Sequence, residues 1–414
     1  MELILVIGLV LMAVAFMCHR TLKTVAFTAW VFVFVAASMV WPAAFGTWFG
    51  FDLKFLIVPL IQIIMFGMGT TLSVSDFTRV LAMPWPVVVG IVLQYTVMPF
   101  VGFGLAKLFG FEPEVAAGVV LIGSAPGGVA SNVINYLARC NVALSVTMTA
   151  ISTLVSPVMT PLMMKLLAGQ YVEVSFVKMM IDICNMIVVP IVAGLIANRM
   201  LYGREAFLQR GGPLAWITLA SLAAAVGVGL LPTAWLGGLR SGLILGFALV
   251  GVVALAKWVM DVWIRGPRDW MDRVLPVISM AAICFIIAII TARSAEDLKR
   301  VGAALLAAAM LHNLLGYLLG YWGARALRLN IVDARTVAVE VGMQNGGMAS
   351  GLAMNTLHST QAALAAAIFG PWQNVSGSIL ASWWRRRPVA PNAEPARRGV
   401  ETPVPAADSS TKPE

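Results

Sequence analysis

The chain has few charged side chains: only 11% of its 414 residues are Asp, Glu, Lys or Arg. Soluble domains carry about 25% charged residues, so a chain this poor in charge cannot cover a water-facing surface. Hydrophobic residues make up 60% of the sequence, and the mean hydropathy is +0.89. The composition therefore predicts a protein that crosses a membrane several times.

Side chains that commonly carry chemistry are scarce or unsuitably spaced. No Ser-His-Asp set, HExxH motif or Walker motif is present, so the sequence favours neither an enzyme nor an ATP-driven pump. The net charge of +9 comes from Lys and Arg at the ends of apolar runs, which favours membrane topology over nucleic-acid binding. No CxxC spacing supports a disulfide framework or a zinc site. The four cysteines lie in or beside apolar segments: Cys18, Cys140, Cys184 and Cys284.

Long apolar runs dominate the chain instead. They lack the alternation of barrel strands, and lipid allows only helices or closed barrels, so they predict helices. A membrane span needs about 20 apolar residues, fewer where flanking side chains reach the interface, and about 13 runs meet this criterion. They cover residues 3–17, 24–41, 55–72, 85–108, 115–137, 142–167, 172–197, 213–231, 243–264, 274–292, 301–324, 336–355 and 361–384.

The distribution of basic residues predicts the orientation. With the N-terminus outside, every odd-numbered connection is cytoplasmic, and these connections hold most of the Lys and Arg up to the cluster at 385–387. The connection at 293–300 runs against this pattern. Residues 388–414 are rich in Pro, Ala and charge and predict a disordered cytoplasmic tail.

Two apolar runs are interrupted by nearly the same letters. "SAPGGVASN" covers residues 124–132, and "MQNGGMASG" covers residues 343–351. Secondary transporters are commonly built from inverted repeats with discontinuous helices in corresponding positions, and the exposed carbonyls and half-helix N-termini suit cations and anions. The alternative is a pair of glycine-rich packing faces between helices. We expect helix breaks at residues 126–128 and around residues 345–347.

Polar side chains cluster near both interruptions. Glu340 lies inside an apolar run, where a lone carboxylate costs about 2.5–3.5 kcal/mol on insertion scales. A bound cation is the simplest counter-charge for it. Ser145, Thr149 and Ser152 share one face of the helix after the first break. Hydroxyl, amide, carboxylate and backbone oxygens together favour a hard cation, whereas the hydroxyls alone would indicate only hydrogen bonds between helices.

These motifs resemble the signatures of the bile acid:sodium symporter family. The two specific ones are "SAPGGVASNVINYLARCNVALSVTMTAISTLVSP" and "VEVGMQNGGMASGLA", with "FGMGTTLSVSDF", "HNLLGYLLG" and "WQNVSGSILASWW" in the matching order. The resemblance covers residues 24–384. It implies an all-α polytopic membrane protein of two inverted five-helix repeats, with crossing broken helices and a panel and a core domain.

The resemblance also implies two sodium sites that share one carboxylate. Carried over residue by residue, the first site uses Ser131, Asn132, Ser145, Thr149 and Glu340. The second uses Gln94, Glu340, Gln344 and the backbone carbonyls of Val341 and Met343. The substrate is expected at Asn345, with Gly128, Val129, Gly347, Gln373 and Asn374 around it.

Three spans exceed the ten of the family. The resulting expectation is an extra N-terminal helix at 1–23, repeats at 24–199 and 271–387, an inserted hairpin at 200–270, and the tail at 388–414.

Val129 and Gln373 stand where relatives often carry threonine and histidine, which disfavours a bile acid as substrate. The sequence thus predicts a sodium symporter in the bilayer that imports a small organic anion, such as a pantothenate-like or keto-acid monocarboxylate, with a bile acid as the alternative substrate. No obligate protein partner is implied, and a proton-coupled carrier and a non-transporting binding or scaffold protein remain alternatives.

Overall fold

The computed structural model describes residues 2–19, 23–203, 211–264 and 270–389, and these residues are almost entirely helical. Apolar runs become helices because lipid offers no partner to a free backbone amide. The helices of the first half are α1 (Glu2–Cys18), α2 (Lys23–Val40), α3 (Ile57–Thr71), α4 (Val74–Thr78), α5 (Pro84–Phe109), α6 (Pro113–Ser124), α7 (Ala130–Leu137), α8 (Val142–Met163), α9 (Phe176–Ile183) and α10 (Val189–Tyr202).

The second half continues in the same manner. Its helices are α11 (Gly211–Leu230), α12 (Thr233–Leu236), α13 (Arg240–Trp258), α14 (Trp270–Arg293), α15 (Ala295–Ala326), α16 (Ile331–Gly342), α17 (Gly346–Asn355) and α18 (Thr360–Arg385). A π-helical turn at Cys184–Val188 joins α9 to α10, and similar turns extend α8 and α13.

Within the described residues, eight helical segments are long and apolar enough to cross a membrane, and three shorter apolar helices accompany them. The prediction of an all-helical polytopic membrane protein is confirmed. Each of the thirteen predicted runs coincides with helix, and two of the runs are split. One small element was not predicted: a hairpin of β1 (Thr47–Trp48) and β2 (Phe51–Asp52), turned by Phe49 and Gly50 at φ 51° and 83°.

The helices form two contacting groups. In the first, α15 packs on α5, α16 and α18, while α6 lies against α5 and α18, and α8 contacts α5, α7 and α16. In the second, α3 packs on α10 and α14, and α14 packs on α2. The groups meet where α17 and α18 contact α3, α2 and α14. The α11–α13 hairpin lies on α10, and α1 lies on α2.

The inverted-repeat relation between the halves and the domain boundaries stay predictions. The predicted tail, apart from residues 388–389, lies outside the described residues. The same holds for the basic residues of the connections at 204–210 and 265–269, which contributed to the predicted orientation.

Candidate functional site

Both predicted helix breaks are present. The first lies between the end of α6 at Ser124 and the start of α7 at Ala130. The second lies between Gly342 and Gly346, about two residues earlier than the sequence predicted. The reason is a cap: the Asn345 side chain accepts a hydrogen bond of 3.0 Å from the backbone N–H of Met348. Gly346 and Gly347, which fall inside the predicted break, instead form the first turn of α17.

The two unwound segments cross and bond to each other. Gly127 and Gln344 form an isolated antiparallel β-bridge. The N–H of Gly128 donates to the carbonyl of Met343 at 3.0 Å, and the N–H of Asn345 donates to the carbonyl of Pro126 at 2.9 Å. A backbone N–H or C=O group without a hydrogen-bond partner costs several kcal/mol away from water. Here each break provides hydrogen-bond partners for backbone groups of the other break. The interruption thus occurs twice because the two breaks stabilise one another.

Close approach explains the glycines of the first break. A Cβ added to Gly128 would lie 2.7 Å from the carbonyl oxygen of Gln344, and one added to Gly127 would lie 2.9 Å from Oε2 of Glu340. At Gly346 and Gly347 the nearest atoms are 3.5 and 3.6 Å away, which is ordinary contact. Only the first pair requires glycine for space.

Glu340 lies beside the crossing on α16 and is 1% exposed. Its carboxylate accepts hydrogen bonds from Ser131 at 2.6 Å, from Thr149 at 2.9 Å and from the hydroxyl of Ser145. Asn132 adds an amide oxygen 2.7 Å from the Ser145 hydroxyl. The structure thus brings together all five side chains predicted for the first cation site, from α7, α8 and α16.

This cluster has more oxygen acceptors than hydrogens to share. The hydroxyl of Ser131 faces both Glu340 and the carbonyl of Gly128 at 2.7 Å, and that of Ser145 faces both Glu340 and Asn132. Each hydroxyl carries one hydrogen. Among the described residues no ion pair includes Glu340. A buried carboxylate held only by neutral groups is a favourable place for a cation.

Beside the crossing, hydrogen bonds join Gln94, Gln344 and Val341 of the predicted second site. The buried amide of Gln94 donates to Oε1 of Gln344 at 2.7 Å and to the carbonyl of Ala125 at 2.9 Å. Gln344 in turn donates to the carbonyl of Val341 at 2.6 Å. The Met343 carbonyl is the acceptor of the Gly128 bond described above. These groups are adjacent, but several of their atoms are bonded to one another.

One residue of the cluster, Asn135, was not among the residues predicted from the sequence. Asn135 is fully buried; its Nδ2 donates to the Ser145 hydroxyl at 2.9 Å and lies 3.5 Å from Oε1 of Glu340. The signal was available, because Asn135 follows Ser131 by four residues and Asn132 by three, and so shares their helical face.

A cavity of about 210 Å³ adjoins the crossing. All six residues predicted for the substrate line it: Gly128, Val129, Asn345, Gly347, Gln373 and Asn374. The opposite wall is apolar and comes from α2, α3 and α14, including Val31, Ile64, Met65, Ile283, Ile286 and Ile287. The cavity therefore has one polar end beside the N-termini of α7 and α17 and one apolar side.

Two of these residues are already engaged. Oε1 of Gln373 accepts the backbone N–H of Gln344 at 2.7 Å, and Nε2 of Gln373 donates to the carbonyl of Gln344 at 2.9 Å. Gln373 thus completes the hydrogen bonding of the second break. Asn345 Oδ1 caps α17, while its Nδ2 faces Met65 Sδ at 3.8 Å. Asn345 therefore keeps more capacity for a ligand than Gln373.

Two adjacent polar residues on α15, His312 and Asn313, connect this helix to its neighbours. The ring of His312 meets the carbonyl of Met98 at 2.9 Å, and Asn313 donates to the carbonyl of Gly342 at 2.8 Å. Asp182 on α9 accepts from Thr356 at 2.8 Å, so it connects α9 to the end of α17. None of these bonds reaches the Glu340 cluster.

Comparisons with known proteins place the chain among sodium-dependent transporters. Residues 58–231 match the model of the Sodium Bile acid symporter family. The sodium-dependent transporter YocS of Bacillus subtilis is 34% identical over 87% of this chain and 91% of its own. A probable chloroplastic sodium/metabolite cotransporter of Arabidopsis thaliana is 29% identical over 79% of this chain and 66% of its own.

A solved structure supports the fold. The sodium proton antiporter MjNhaP1 of Methanocaldococcus jannaschii superposes with a TM-score of 0.51 over 93% of this chain and 98% of its own, at 14% sequence identity. That likeness concerns the fold alone. The relatives by sequence are described as transporters and not as enzymes. Given a relative of 34% identity matched over nearly its whole length, this integral membrane protein belongs to the sodium bile acid symporter family, a family of sodium-dependent transporters.

Proposed function

We propose that this protein is a secondary active symporter that couples the import of a small organic anion to sodium. The observation that carries the proposal is the Glu340 carboxylate, buried at the crossing of two broken helices beside a cavity. Its neighbours are neutral oxygen-bearing groups. A hard cation is the counter-charge that such a set of oxygens suits.

Two sodium ions are proposed as co-transported substrates. The first would bind Ser131, Asn132, Ser145, Thr149 and Glu340. The second would bind Glu340, Gln94, Gln344 and the carbonyls of Val341 and Met343. Because Glu340 belongs to both sets, each cation would reduce the cost of burying the same charge, and the two would be coupled energetically.

The cavity favours a monocarboxylate. The N-termini of α7 and α17 border it and contribute partial positive charge, which suits one anionic group. None of the described residues that line the cavity is Lys or Arg, which disfavours dicarboxylates and phosphates that need a bidentate clamp. Asn345 would bond a hydroxyl or amide of the substrate, and the apolar wall would hold its carbon skeleton. A pantothenate-like or keto acid fits this pattern.

The orientation is part of the proposal. An N-terminus outside and a C-terminus in the cytoplasm agree with the excess of basic residues at one set of connections. An inward sodium gradient then drives the import of the anion, because both solutes cross in the same direction.

Uptake into proteoliposomes tests the coupling. We expect an inward sodium gradient to drive accumulation of at least one member of a panel of organic acids, and a pH gradient in potassium medium to drive none. Accumulation driven by pH alone would replace the proposal with a proton-coupled carrier, in which Glu340 itself takes up the proton. Absence of gradient-driven uptake across the panel, with binding retained, would favour the binding or scaffold role.

A thermal-shift screen then ranks substrates. Coupled ligands raise each other's affinity, so a true substrate should stabilise the protein more in sodium than in potassium. We expect small monocarboxylates to lead this ranking. A bile acid that exceeds all of them, with the same sodium dependence, would overturn the small-substrate assignment and leave the transport assignment intact.

A further inference from the structure

The side-chain amide of Asn135 is hydrogen-bonded through its nitrogen but not through its oxygen. Its Nδ2 donates to the Ser145 hydroxyl and approaches Glu340, as described above. Its Oδ1 is buried and has no hydrogen-bond partner, one of five such side-chain atoms among the described residues. It is also the only amide atom of those five. A buried acceptor without a partner destabilises the folded state, so its presence beside a candidate cation site points to a second state that uses it.

The charge of the site determines which end of the amide should face it. Without a cation, the Glu340 carboxylate is uncompensated, and the N–H end of Asn135 is the favourable end to present. With sodium in the cluster, the Ser145 oxygen turns its lone pairs towards the cation, and its hydrogen needs an acceptor outside the coordination shell. The other oxygens of the cluster, including that of Asn132, then serve as ligands of the same cation.

We propose that Asn135 is a positioning residue whose amide turns over when sodium binds, so that Oδ1 accepts the Ser145 hydroxyl. This inference rests on the proposed sodium coupling and goes beyond the ligand set given above. One end of the amide is unpartnered in either orientation, so the charge that faces the amide, a carboxylate alone or a carboxylate with a cation, selects the orientation. Asn135 thereby raises the affinity of the first site through Ser145, without itself being a ligand.

The test measures stability and sodium affinity separately on the purified full-length protein. Sodium replaces potassium at constant ionic strength, and the half-saturating sodium concentration is read from thermal stabilisation. Asn135→Leu keeps the volume and removes the idle acceptor. We expect its stability in potassium to stay close to that of the wild type, because the variant loses the unpartnered Oδ1 together with the Nδ2 donor to Ser145. Half-saturating sodium should rise about fivefold, as for one lost hydrogen bond between neutral groups.

A matched control separates this role from ordinary packing. Asn185 is also a buried asparagine, but both ends of its amide are used, by Ser241 at 2.8 Å and by the N–H of Gly242 at 2.6 Å. Asn185→Leu should lower stability in potassium and leave half-saturating sodium unchanged. If Asn135→Leu fails to fold, Asn135→Ala takes its place, with the same two readouts.

A double-variant cycle tests the path through Ser145. In a Ser145→Ala background, Asn135→Leu should have less than a twofold further effect on sodium affinity. Full additivity would overturn the inference, as would an Asn135→Leu protein that binds sodium like the wild type. If the wild type itself shows no sodium-dependent stabilisation and no sodium-driven uptake, the proposed function falls and this inference falls with it. The two failures are therefore distinguishable.

Discussion

The two candidate sodium sites share Glu340 but differ in how ready they are to bind. In the first, hydroxyl and amide oxygens from α7 and α8 already converge around the carboxylate on α16. In the second, the amides of Gln94 and Gln344 bond to each other and to backbone carbonyls. A cation there must displace hydrogen bonds that join its ligands to each other and to the backbone, whereas in the first site the hydroxyls and the neighbouring amide of Asn135 only have to turn. We therefore expect sodium to bind the first site before the second.

Removal of the shared charge should have the largest effect. Glu340→Gln keeps the shape and removes the counter-charge of both sites, so we expect sodium-driven uptake to fall at least about 100-fold, the loss expected for a charged partner worth about 3 kcal/mol. Asp182→Asn is the control, because Asp182 bonds Thr356 away from the cluster. Uptake by Glu340→Gln that stayed sodium-stimulated would show that neither site uses this carboxylate.

The two breaks should differ in their tolerance of a methyl group. Gly128→Ala places Cβ 2.7 Å from a backbone oxygen, and the break must shift to accommodate it, which we expect to destabilise the protein by about 2 kcal/mol. Gly347→Ala meets nothing closer than 3.6 Å and should change stability by less than about 0.5 kcal/mol. Thermal unfolding in sodium-free buffer measures both. Equal losses would mean that the crossing is not the tighter of the two environments.

Within the first site, one hydroxyl can be removed at constant shape. Thr149→Val deletes a donor to Oε2 of Glu340, and we expect half-saturating sodium to rise about tenfold, the effect of roughly 1.4 kcal/mol. Thr153→Val is a close control, since Thr153 lies one turn away on α8 and bonds only the carbonyl of Thr149 among the partners described. A similar response of the two variants would indicate a packing effect in α8.

The second site should respond least in affinity. Gln94→Leu removes an amide that now bonds Gln344, so its loss also releases a competing hydrogen bond, and we expect half-saturating sodium to rise only about threefold. The steepness of the sodium dependence should fall, because one of two coupled ions is lost. Gln62→Leu, at a buried glutamine that bonds Asn185, is the control. Unchanged steepness in Gln94→Leu would contradict a second ion at this position.

Much of the fold was predictable because in lipid the backbone hydrogen bonds of a span have to form within the span itself. Each span has to pair its own N–H and C=O groups, so apolar length alone located the helices. The same logic located the interruptions, since glycine and proline in an apolar run leave groups that helices cannot pair. The predicted position of the second break lies two residues C-terminal to the observed one. The reason is that the cap by Asn345 depends on its side-chain rotamer, which the sequence does not specify.

The chemical character of the site was predictable from the sequence, but the list of its residues was incomplete. Glu340 was conspicuous because a carboxylate inside an apolar run is costly. Asn135 was not conspicuous, because a buried asparagine on α7 is equally compatible with helix packing. Gln373 was predicted to face the substrate, and it also lines the cavity, but its amide pairs with the backbone at Gln344.

The sequence by itself determined a charge-poor chain of long apolar helices, two interruptions with matching letters, and an acidic group that requires a partner. Composition and spacing suffice for these properties because each depends on neighbours within a few turns. Only the tertiary structure decided that the breaks bond to each other, with Gly127 opposite Gln344 across more than half the chain. It also decided that Ser131 and Thr149 converge on Glu340. Contacts between distant segments follow from how whole helices pack, which no local pattern encodes.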